Sequence, residues 1–158
     1  RNLAKVYQRN CLLNTTEIRP FSVYGPKQDH RRNIPPIMSM CIINLLKQKP
    51  PTLYDDGKRY RDYIYIDDLC DFLLLCLKSR KAINQAFNMG SGIAYSGGNI
   101  YKRISKILRL YIKPSFMSSV SGQPKMTLAN IQKARKPPKQ AKYWSCFPTG
   151  LFSISISK

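Results

Sequence analysis

The chain has 158 residues, 43% of them hydrophobic, so it can bury a core and wholesale disorder is excluded. Its net charge is +19, and all eight acids lie at or before Asp71. That charge attracts anions without defining a role, and no apolar run approaches the roughly 20 residues of a membrane-spanning helix.

The cysteines and the start of the chain indicate an intracellular protein. The five cysteines form no Cys-x-x-Cys pair, so we expect neither a disulfide framework nor a zinc site. No basic-then-apolar signal peptide opens the chain, and we expect a cytoplasmic protein. Because the residues after Arg1 already resemble the interior of a helix, we expect a fragment or a truncated product of a larger protein.

Helices and strands are predicted to alternate along the chain. Residues 2–13 predict the end of an amphipathic helix, 14–19 a strand closed by Pro20, and the stretch after Pro35 a helix with a 3.6-residue apolar stripe. After this helix we expect a strand at 52–54, a turn at 55–58 and a strand at 61–66. A helix at 69–77, capped by Asp67 or Asp68, is followed by a strand at 86–89 and a glycine-rich loop at 90–98. The last two elements are a helix at 100–110, capped by Ser96, and a helix at 128–135. This alternation predicts an α/β fold with crossover connections.

The first candidate site follows the strand at 14–19. Ser22 lies where the chain leaves the sheet, and ligands of α/β folds collect at the carboxyl ends of strands. An ordinary strand-to-loop junction is the alternative interpretation. In the same strand, burying Glu17 without a partner would cost several kcal/mol.

The second candidate site surrounds the Asp-Gly turn. Arg61, at a strand start between aromatic residues, can meet a diphosphate through two parallel hydrogen bonds, and Asp62 is expected to hold it. Tyr54 is either a stacking surface for a base or a half-buried strand residue. The loop at 88–92 begins like a dinucleotide fingerprint but lacks its third glycine, so we reject it as an NAD site. The single histidine, His30, has no predicted catalytic or metal-binding partner.

Four stretches together resemble the extended short-chain dehydrogenase/reductase family, and within it the NAD-dependent nucleotide-sugar epimerases and dehydratases. They are RPFSVYGPKQ, LYDDGKRYRDYIYIDDL, NQAFNMGSGIAYS and GQPKMTLANIQKARK. The resemblance covers residues 1–136, expected to be the carboxyl-terminal portion of the epimerase/dehydratase domain, and leaves 137–158 as a weakly defined tail. It implies the carboxyl-terminal part of a Rossmann-like fold, with an incomplete parallel sheet and a small substrate-binding subdomain.

The resemblance also implies roles for individual residues. Ser22 would contact the substrate, and Thr52, Leu53 and Tyr54 would lie along the base. Arg61 would bind the diphosphate. Gln123 would stand near the place where the family often has a second diphosphate-binding arginine, so that second contact is weakened here. Val23 and Tyr24 would border the nicotinamide of NAD. The family's glycine-rich NAD loop and catalytic Tyr-x-x-x-Lys pair precede the first strand, so we expect this chain to bind a UDP-, GDP- or CDP-sugar but to be inactive alone.

Two other readings stay open. A basic protein that binds nucleic acid or other anions would use the cations from Lys102 to Lys142, although we do not expect nucleic acid as a dedicated partner. The chain could equally be a non-functional truncated product. The resemblance leaves room for a homodimer of the full-length parent. Without the preceding sheet, apolar surface is expected to be exposed near Leu3, Val6 and Ile18.

Overall fold

The computed structural model describes residues 2–118 and 122–135, apart from the side chain of Asn2. The helices are α1 Asn2–Asn10, α2 Ile37–Leu46, α3 Ile66–Lys78 and α4 Gly97–Leu108, with 3-10 turns at Asp55–Gly57 and Arg80–Ala82. The strands are β1 Thr16–Pro20, β2 Ser22–Tyr24, β3 Thr52–Tyr54, β4 Tyr60–Tyr65, β5 Gln85–Met89, β6 Ala94–Ser96, β7 Ser115–Met117 and β8 Met126–Thr127. The predicted tail, 137–158, lies outside the described residues.

The first of two compact units contains residues 2–25, 62–93 and 128–135. Within it β1 runs parallel to β5, with Ile18 beside Phe87, and β2 runs parallel to β4, with Ser22 beside Tyr63. Parallel strands require crossover connections, and helix α3 lies between β4 and β5 in the chain. The predicted α/β class with parallel pairing is therefore confirmed.

The core of the first unit forms where α3 covers these strands. Its buried residues come from β4, α3, β5 and the turns near them: Ile64, Leu69, Phe72, Ala82, Phe87, Met89 and Ala134. The Phe72 and Phe87 rings meet edge to face, with centroids 5.5 Å apart. Ile18 packs against this cluster, so the expectation that it would be exposed is wrong. Leu3 and Val6 are exposed on α1, as predicted.

Helix α3 begins differently from the prediction. Its N-cap position is Tyr65, which makes no side-chain capping bond, so neither Asp67 nor Asp68 caps the helix. Both carboxylates lie in the first turn instead, where the positive end of the helix dipole favours negative charge. Burial, followed by repulsion from Asp71 and Asp67, raises the pKa of Asp68. The apolar Ile66 takes the first helical position because it packs against the core.

Glu17 is neither fully buried nor unpaired, which corrects the expectation of an uncompensated charge. Its Oε1 accepts a hydrogen bond from Arg19 Nε at 2.7 Å, and both side chains are partly exposed. Residues two apart on a strand point to the same face, so this pair is a direct consequence of the strand period. The ion pair raises the pKa of Arg19.

The second unit contains residues 26–61, 94–118 and 122–127. Strand β3 runs parallel to β7, and the first part of β4 runs parallel to β8. Its core consists of apolar residues from α2, β3 and α4: Met38, Cys41, Leu45, Leu53, Ile100 and Ile104. The predicted stripe of α2 is confirmed at its centre, but Leu46 at the helix end is exposed.

Helix α4 confirms one predicted cap and corrects its surroundings. Ser96 Oγ accepts a hydrogen bond from the Asn99 amide at 3.1 Å, as the N-cap prediction requires. The helix begins at Gly97, and strand β6 occupies part of the predicted loop at 90–98. Ile107 near the end of the helix is exposed, and residues 128–135 contain a turn where a helix was predicted.

Candidate functional site

A cavity of about 720 Å³ lies in the second unit, where two parallel strands end. Asp55 and Asp56 directly follow β3, and Met117 and Ser118 end and follow β7. The described lining is mainly polar and cationic: Asp55, Asp56, Lys58, Arg59, Phe116, Met117, Ser118, Gly122, Gln123 and Lys125. Both the location and the size are typical of ligand sites in α/β proteins.

The wall on the β3 side is a tight turn that requires positive φ angles. Asp55, Asp56 and Gly57 have φ values of 49°, 54° and 71°, the region that aspartate tolerates and glycine adopts freely. A Cβ atom on Gly57 would lie 3.0 Å from the backbone nitrogen of Gly98, a tight contact, and the φ of 71° would strain any side chain there. The Lys58 amide donates to the Asp55 carbonyl at 2.8 Å and closes the turn.

Arg59 connects this turn to the segment at 122–125. Its Nε donates to Asp55 Oδ2 at 2.5 Å, and its Nη1 donates to Gln123 Oε1. Beside it, the Tyr60 amide donates to the Lys125 carbonyl at 3.0 Å. The Arg59 side chain is 14% exposed and that of Asp55 35%, so the guanidinium is largely enclosed while reaching the cavity.

The cavity combines positive charge with apolar surface. Lys58, Arg59 and Lys125 line it against two carboxylates, and Arg59 already neutralises that of Asp55. On the other side Phe116 is 51% exposed and Met117 56% exposed, so both present apolar surface to the cavity. Cations and an open ring together suit a ligand that carries both phosphate groups and a flat apolar part.

The predicted residues of the second unit occupy different parts of it. Gln123 lines the cavity, and Tyr54 immediately precedes the turn. Thr52 lies at the opposite end of β3, with its hydroxyl 3.2 Å from that of Ser115, while Leu53 is a core residue at 2% exposure. Arg61 does not line this cavity, and its Nη1 donates to the Tyr60 carbonyl at 2.8 Å.

The predicted residues of the first unit lie together on β2. Ser22, Val23 and Tyr24 are all half-buried. Val23 packs against the core, and the Tyr24 ring lies 5.4 Å from the Tyr65 ring and 6.4 Å from the Tyr63 ring, centroid to centroid. Val23 and Tyr24 therefore have clear packing partners within their own unit.

Asp62 does not serve to hold Arg61, contrary to the sequence-based expectation. It is fully buried, and its carboxylate accepts hydrogen bonds from the Ser91 amide at 2.6 Å, the Ser91 hydroxyl at 2.7 Å, the Gly92 amide at 3.0 Å and the Ala129 amide at 3.0 Å. The backbone amides that a bound pyrophosphate would need are thus already occupied by Asp62. This supports the rejection of the glycine-containing loop as an NAD site.

Other chemistry finds little support in the described part of the chain. No group of three or more His, Cys, Asp or Glu residues there could hold a metal ion. Burial raises the pKa of the Cys41 thiol to about 12, so it is not a nucleophile at neutral pH. His30 is exposed in its loop. None of the described helices is both long and apolar enough to cross a bilayer.

Sequence reasoning missed several residues of the cavity. Lys58 and Arg59 belong to the second candidate site, but the sequence predicts Arg61, two positions later, as its cationic residue. Phe116 and Met117 lie on a three-residue strand whose members are all exposed, so no alternating pattern marks it. The available signal was the Asp-Gly turn itself, because residues that follow a tight reversal at a strand end project toward the ligand edge.

Comparisons with known proteins identify the family. An uncharacterised UDP-glucose epimerase from Bacillus subtilis is 29% identical over 136 residues, which are 85% of this chain and 41% of the relative. The dTDP-D-glucose 4,6-dehydratase of Dictyostelium discoideum is 29% identical over 106 residues, covering 67% of this chain and 23% of the relative. The chain thus spans less than half the length of these curated relatives.

Solved structures agree with this result. A UDP-N-acetylglucosamine 4-epimerase from Methanobrevibacter ruminantium superposes with a TM-score of 0.81 at 25% identity, covering 85% of this chain and 43% of that one. A UDP-glucuronic acid 4-epimerase from Bacillus cereus gives 0.77 at 33% identity, covering 84% and 41%. The fold is therefore part of a Rossmann-like α/β fold. The model of the NAD dependent epimerase/dehydratase family matches residues 1–90, more than half of the chain, and the chain therefore belongs to this family.

Proposed function

We propose that this chain is the nucleotide-sugar-binding portion of an NAD-dependent nucleotide-sugar epimerase/dehydratase. The observation that carries the proposal is the cavity of about 720 Å³ at the carboxyl ends of β3 and β7, lined by Lys58, Arg59 and Lys125. Its charge suits a diphosphate, and its exposed Phe116 suits a base or sugar ring. Membership of the family supports the same substrate class.

Within this proposal the predicted residues keep their roles, with one limit set by burial. Ser22 is proposed to contact the sugar, residues 52–54 to border the base, and Gln123, which lines the cavity, to contact the diphosphate. Arg61 keeps its proposed diphosphate contact, although it is not among the residues that line the cavity. Because the Leu53 side chain is buried, it contributes through its backbone.

We propose NAD as the cofactor of the full-length protein. In the glycine-containing loop, Asp62 already occupies the amides of Ser91 and Gly92 that a pyrophosphate would need. Val23 and Tyr24 are proposed to border the nicotinamide, which when bound accepts a hydride from the sugar. We propose that the chain alone binds nucleotide sugar without turning it over. The proposal includes a cytoplasmic location, and it leaves room for a homodimer of the full-length protein.

Calorimetric titration of the 158-residue chain with UDP-glucose, GDP-mannose and dTDP-glucose tests the proposal. We expect saturable binding of at least one nucleotide sugar. Duplex DNA, titrated at low and high salt, is the comparison ligand. The net charge of +19 favours basic anion binding as the second candidate, and steeply salt-dependent DNA binding without nucleotide-sugar affinity would establish it instead.

A further inference from the structure

We propose that helix α3 is a self-association surface, through which two copies of this chain pair in an antiparallel arrangement with two-fold symmetry. The outward side of the helix carries a stripe of exposed apolar side chains, and the two ends of the helix carry opposite charges. The inference does not depend on the proposed function, because α3 belongs to the first unit and the cavity to the second.

The apolar stripe lies on the side of α3 that faces away from the core. Leu69 and Phe72 are buried on the inner side. Cys70 is exposed, one helical turn before the next outward residues. Three leucines follow it on the outer side and are exposed by 40%, 53% and 83%: Leu73, Leu74 and Leu77. We call these three leucines and Cys70 the α3 stripe.

The spacing of the α3 stripe is the one that paired helices use. Residues 70, 73 and 77 are three and four positions apart, which is the spacing of the two apolar positions in a coiled-coil repeat. Side chains with this spacing form a row that fits between the side chains of a facing helix. Single exposed leucines are ordinary on a protein surface, whereas a contiguous apolar row is typical of an interaction site.

The charges at the ends of α3 identify a second copy of the chain as the partner. Asp67 and Asp71 are exposed near the start of the helix, and Lys78 lies in its last turn. Two further exposed cations follow the helix, Arg80 and Lys81. An antiparallel pair places the acidic end of each helix beside the basic end of the other, so both ends attract at once. A parallel pair would bring like charges together.

A two-fold axis at the middle of the α3 stripe satisfies both the apolar and the charged contacts. With the axis between positions 73 and 74, Leu73 lies level with Leu74 of the second copy. The same register brings Asp67 level with Arg80 of the second copy. Because the stripe extends over only about 10 Å of helix, we expect a dimer that dissociates on dilution.

Helix α1 exposes apolar side chains in the same unit but lacks this charge pattern. Leu3 and Val6 are exposed there. The charged residues of α1 are Lys5 and Arg9, both positive, so two α1 helices would repel each other. The opposed charges therefore favour α3, and a variant of α1 serves as the control.

Sedimentation equilibrium of the 158-residue chain over a range of concentrations tests the inference. We expect wild type to show a monomer–dimer equilibrium and Leu77→Glu to weaken it by at least about tenfold, because each dimer loses two leucine contacts and gains two enclosed charges. The matched control is Leu3→Glu at an exposed leucine of α1, and it should change the dissociation constant less than about twofold. A wild-type chain that stays monomeric up to about 1 mM overturns the inference, as does a larger loss in Leu3→Glu than in Leu77→Glu.

A charge exchange tests the antiparallel arrangement. Arg80→Glu should weaken the dimer by about threefold or more, because it places a glutamate beside Asp67 of the second copy. The double variant Asp67→Lys/Arg80→Glu restores attraction at both symmetric contacts and should return the dissociation constant to within about twofold of wild type. A double variant that dimerises no more tightly than Arg80→Glu alone overturns the antiparallel pairing.

Two cysteine variants locate the axis. Cys11 and Cys146 are serine in both, and the second variant also carries Cys70→Ser with Leu73→Cys. The second should form a disulfide-linked dimer on oxidation, since position 73 lies at the axis. The first should not, because the two Cys70 residues are about 10 Å apart along the antiparallel helices. Crosslinking through Cys70 alone would indicate parallel helices and overturn the inference.

Urea unfolding identifies any variant that fails to fold. The side chain of Leu77 is exposed, so we expect Leu77→Glu to keep the stability of wild type. Should Leu77→Glu fail to fold, the comparison of Arg80→Glu with the double variant decides.

Discussion

The two units use their charged residues in opposite ways. In the first unit Asp62 is completely buried, and four hydrogen bonds satisfy its carboxylate. In the second unit Arg59 is enclosed, and hydrogen bonds among the described residues use two of its five N–H donors, beside a cavity lined by two further cations. A buried charge with every partner in place holds a fold together, whereas an incompletely bonded charge at a cavity is suited to a ligand.

The largest effect should come from removing the buried carboxylate. Asp62→Ala leaves the Ser91, Gly92 and Ala129 amides without their acceptor in a buried site, so we expect a loss of about 3–5 kcal/mol in the free energy of unfolding. Urea denaturation measures it. Asp56→Asn, which removes an exposed charge but keeps a residue that tolerates the φ of 54° at this position, should change stability by less than about 0.5 kcal/mol. Equal losses in the two variants would remove the contrast between the units.

A smaller effect is expected from crowding the same carboxylate. A Cβ on Gly90 would lie 2.5 Å from Asp62 Oδ2 and 2.7 Å from the Ala129 Cβ, so Gly90→Ala should cost about 1–3 kcal/mol. Gly122→Ala in the second unit meets no atom within 4 Å, but its φ of 86° strains any side chain, and we expect about 1 kcal/mol. Thermal unfolding should give Gly90→Ala a lower melting temperature than Gly122→Ala. The reverse order would argue against tight packing around Asp62.

Next in size is the cap of α4 in the second unit. Ser96→Ala removes the oxygen that accepts the Asn99 amide, and we expect a loss of about 1 kcal/mol. Ser118→Ala, at an exposed serine, is the matched control and should stay within about 0.5 kcal/mol. Helix α3 in the first unit has no side-chain cap to lose. If both serine variants matched wild type in urea, the capping bond would contribute nothing measurable.

The smallest effect should appear at the start of α3 and depend on pH. Because burial and neighbouring acids raise the pKa of Asp68, folding favours its neutral form, and its contribution to stability is present below the unfolded pKa and lost as pH rises through the folded one. Asp68→Asn should therefore stabilise the protein slightly at pH 7, by less than about 0.5 kcal/mol, with no gain at pH 3.

The control for that variant is Asp67→Asn. Asp67 lies in the same helical turn but is exposed, so its replacement relieves less burial while losing the favourable interaction with the helix dipole. Urea midpoints at the two pH values compare the pair. A destabilised Asp68→Asn at pH 7 would mean that the dipole interaction outweighs the cost of burial.

Local chemistry was predictable from the sequence wherever neighbouring residues decide it. The Asp-Gly turn at 55–58 and the Ser96 cap follow from side chains within three residues, and both are present. The pairing of Glu17 with Arg19 has an equally local signal, since residues two apart share a strand face, but it was not drawn from the sequence. The Rossmann-like fold was predicted from the resemblance to the family, because periodicity alone indicates only the α/β class.

Features that depend on long-range contacts were harder to predict. The caps expected at Asp67 and Asp68 failed because packing of Ile66 on the core moved the helix start. Asp62 lies next to Arg61 in sequence, yet its partners are some 30 and 67 positions away, which no local rule indicates. The cavity depends on exposed residues of β7 and on the segment at 122–125, neither of which has a periodic pattern.

The bond from the Ala129 amide to Asp62 has a practical consequence for shortened versions of the chain. A version that stops before residue 128 removes one of the four donors and also Ala134, which is 1% exposed in the core. Expression boundaries should therefore lie beyond Ala134. If a protease removes the segment from residue 128 onward, we expect the rest of the first unit to unfold. The unfolded unit should then be cut further into small peptides.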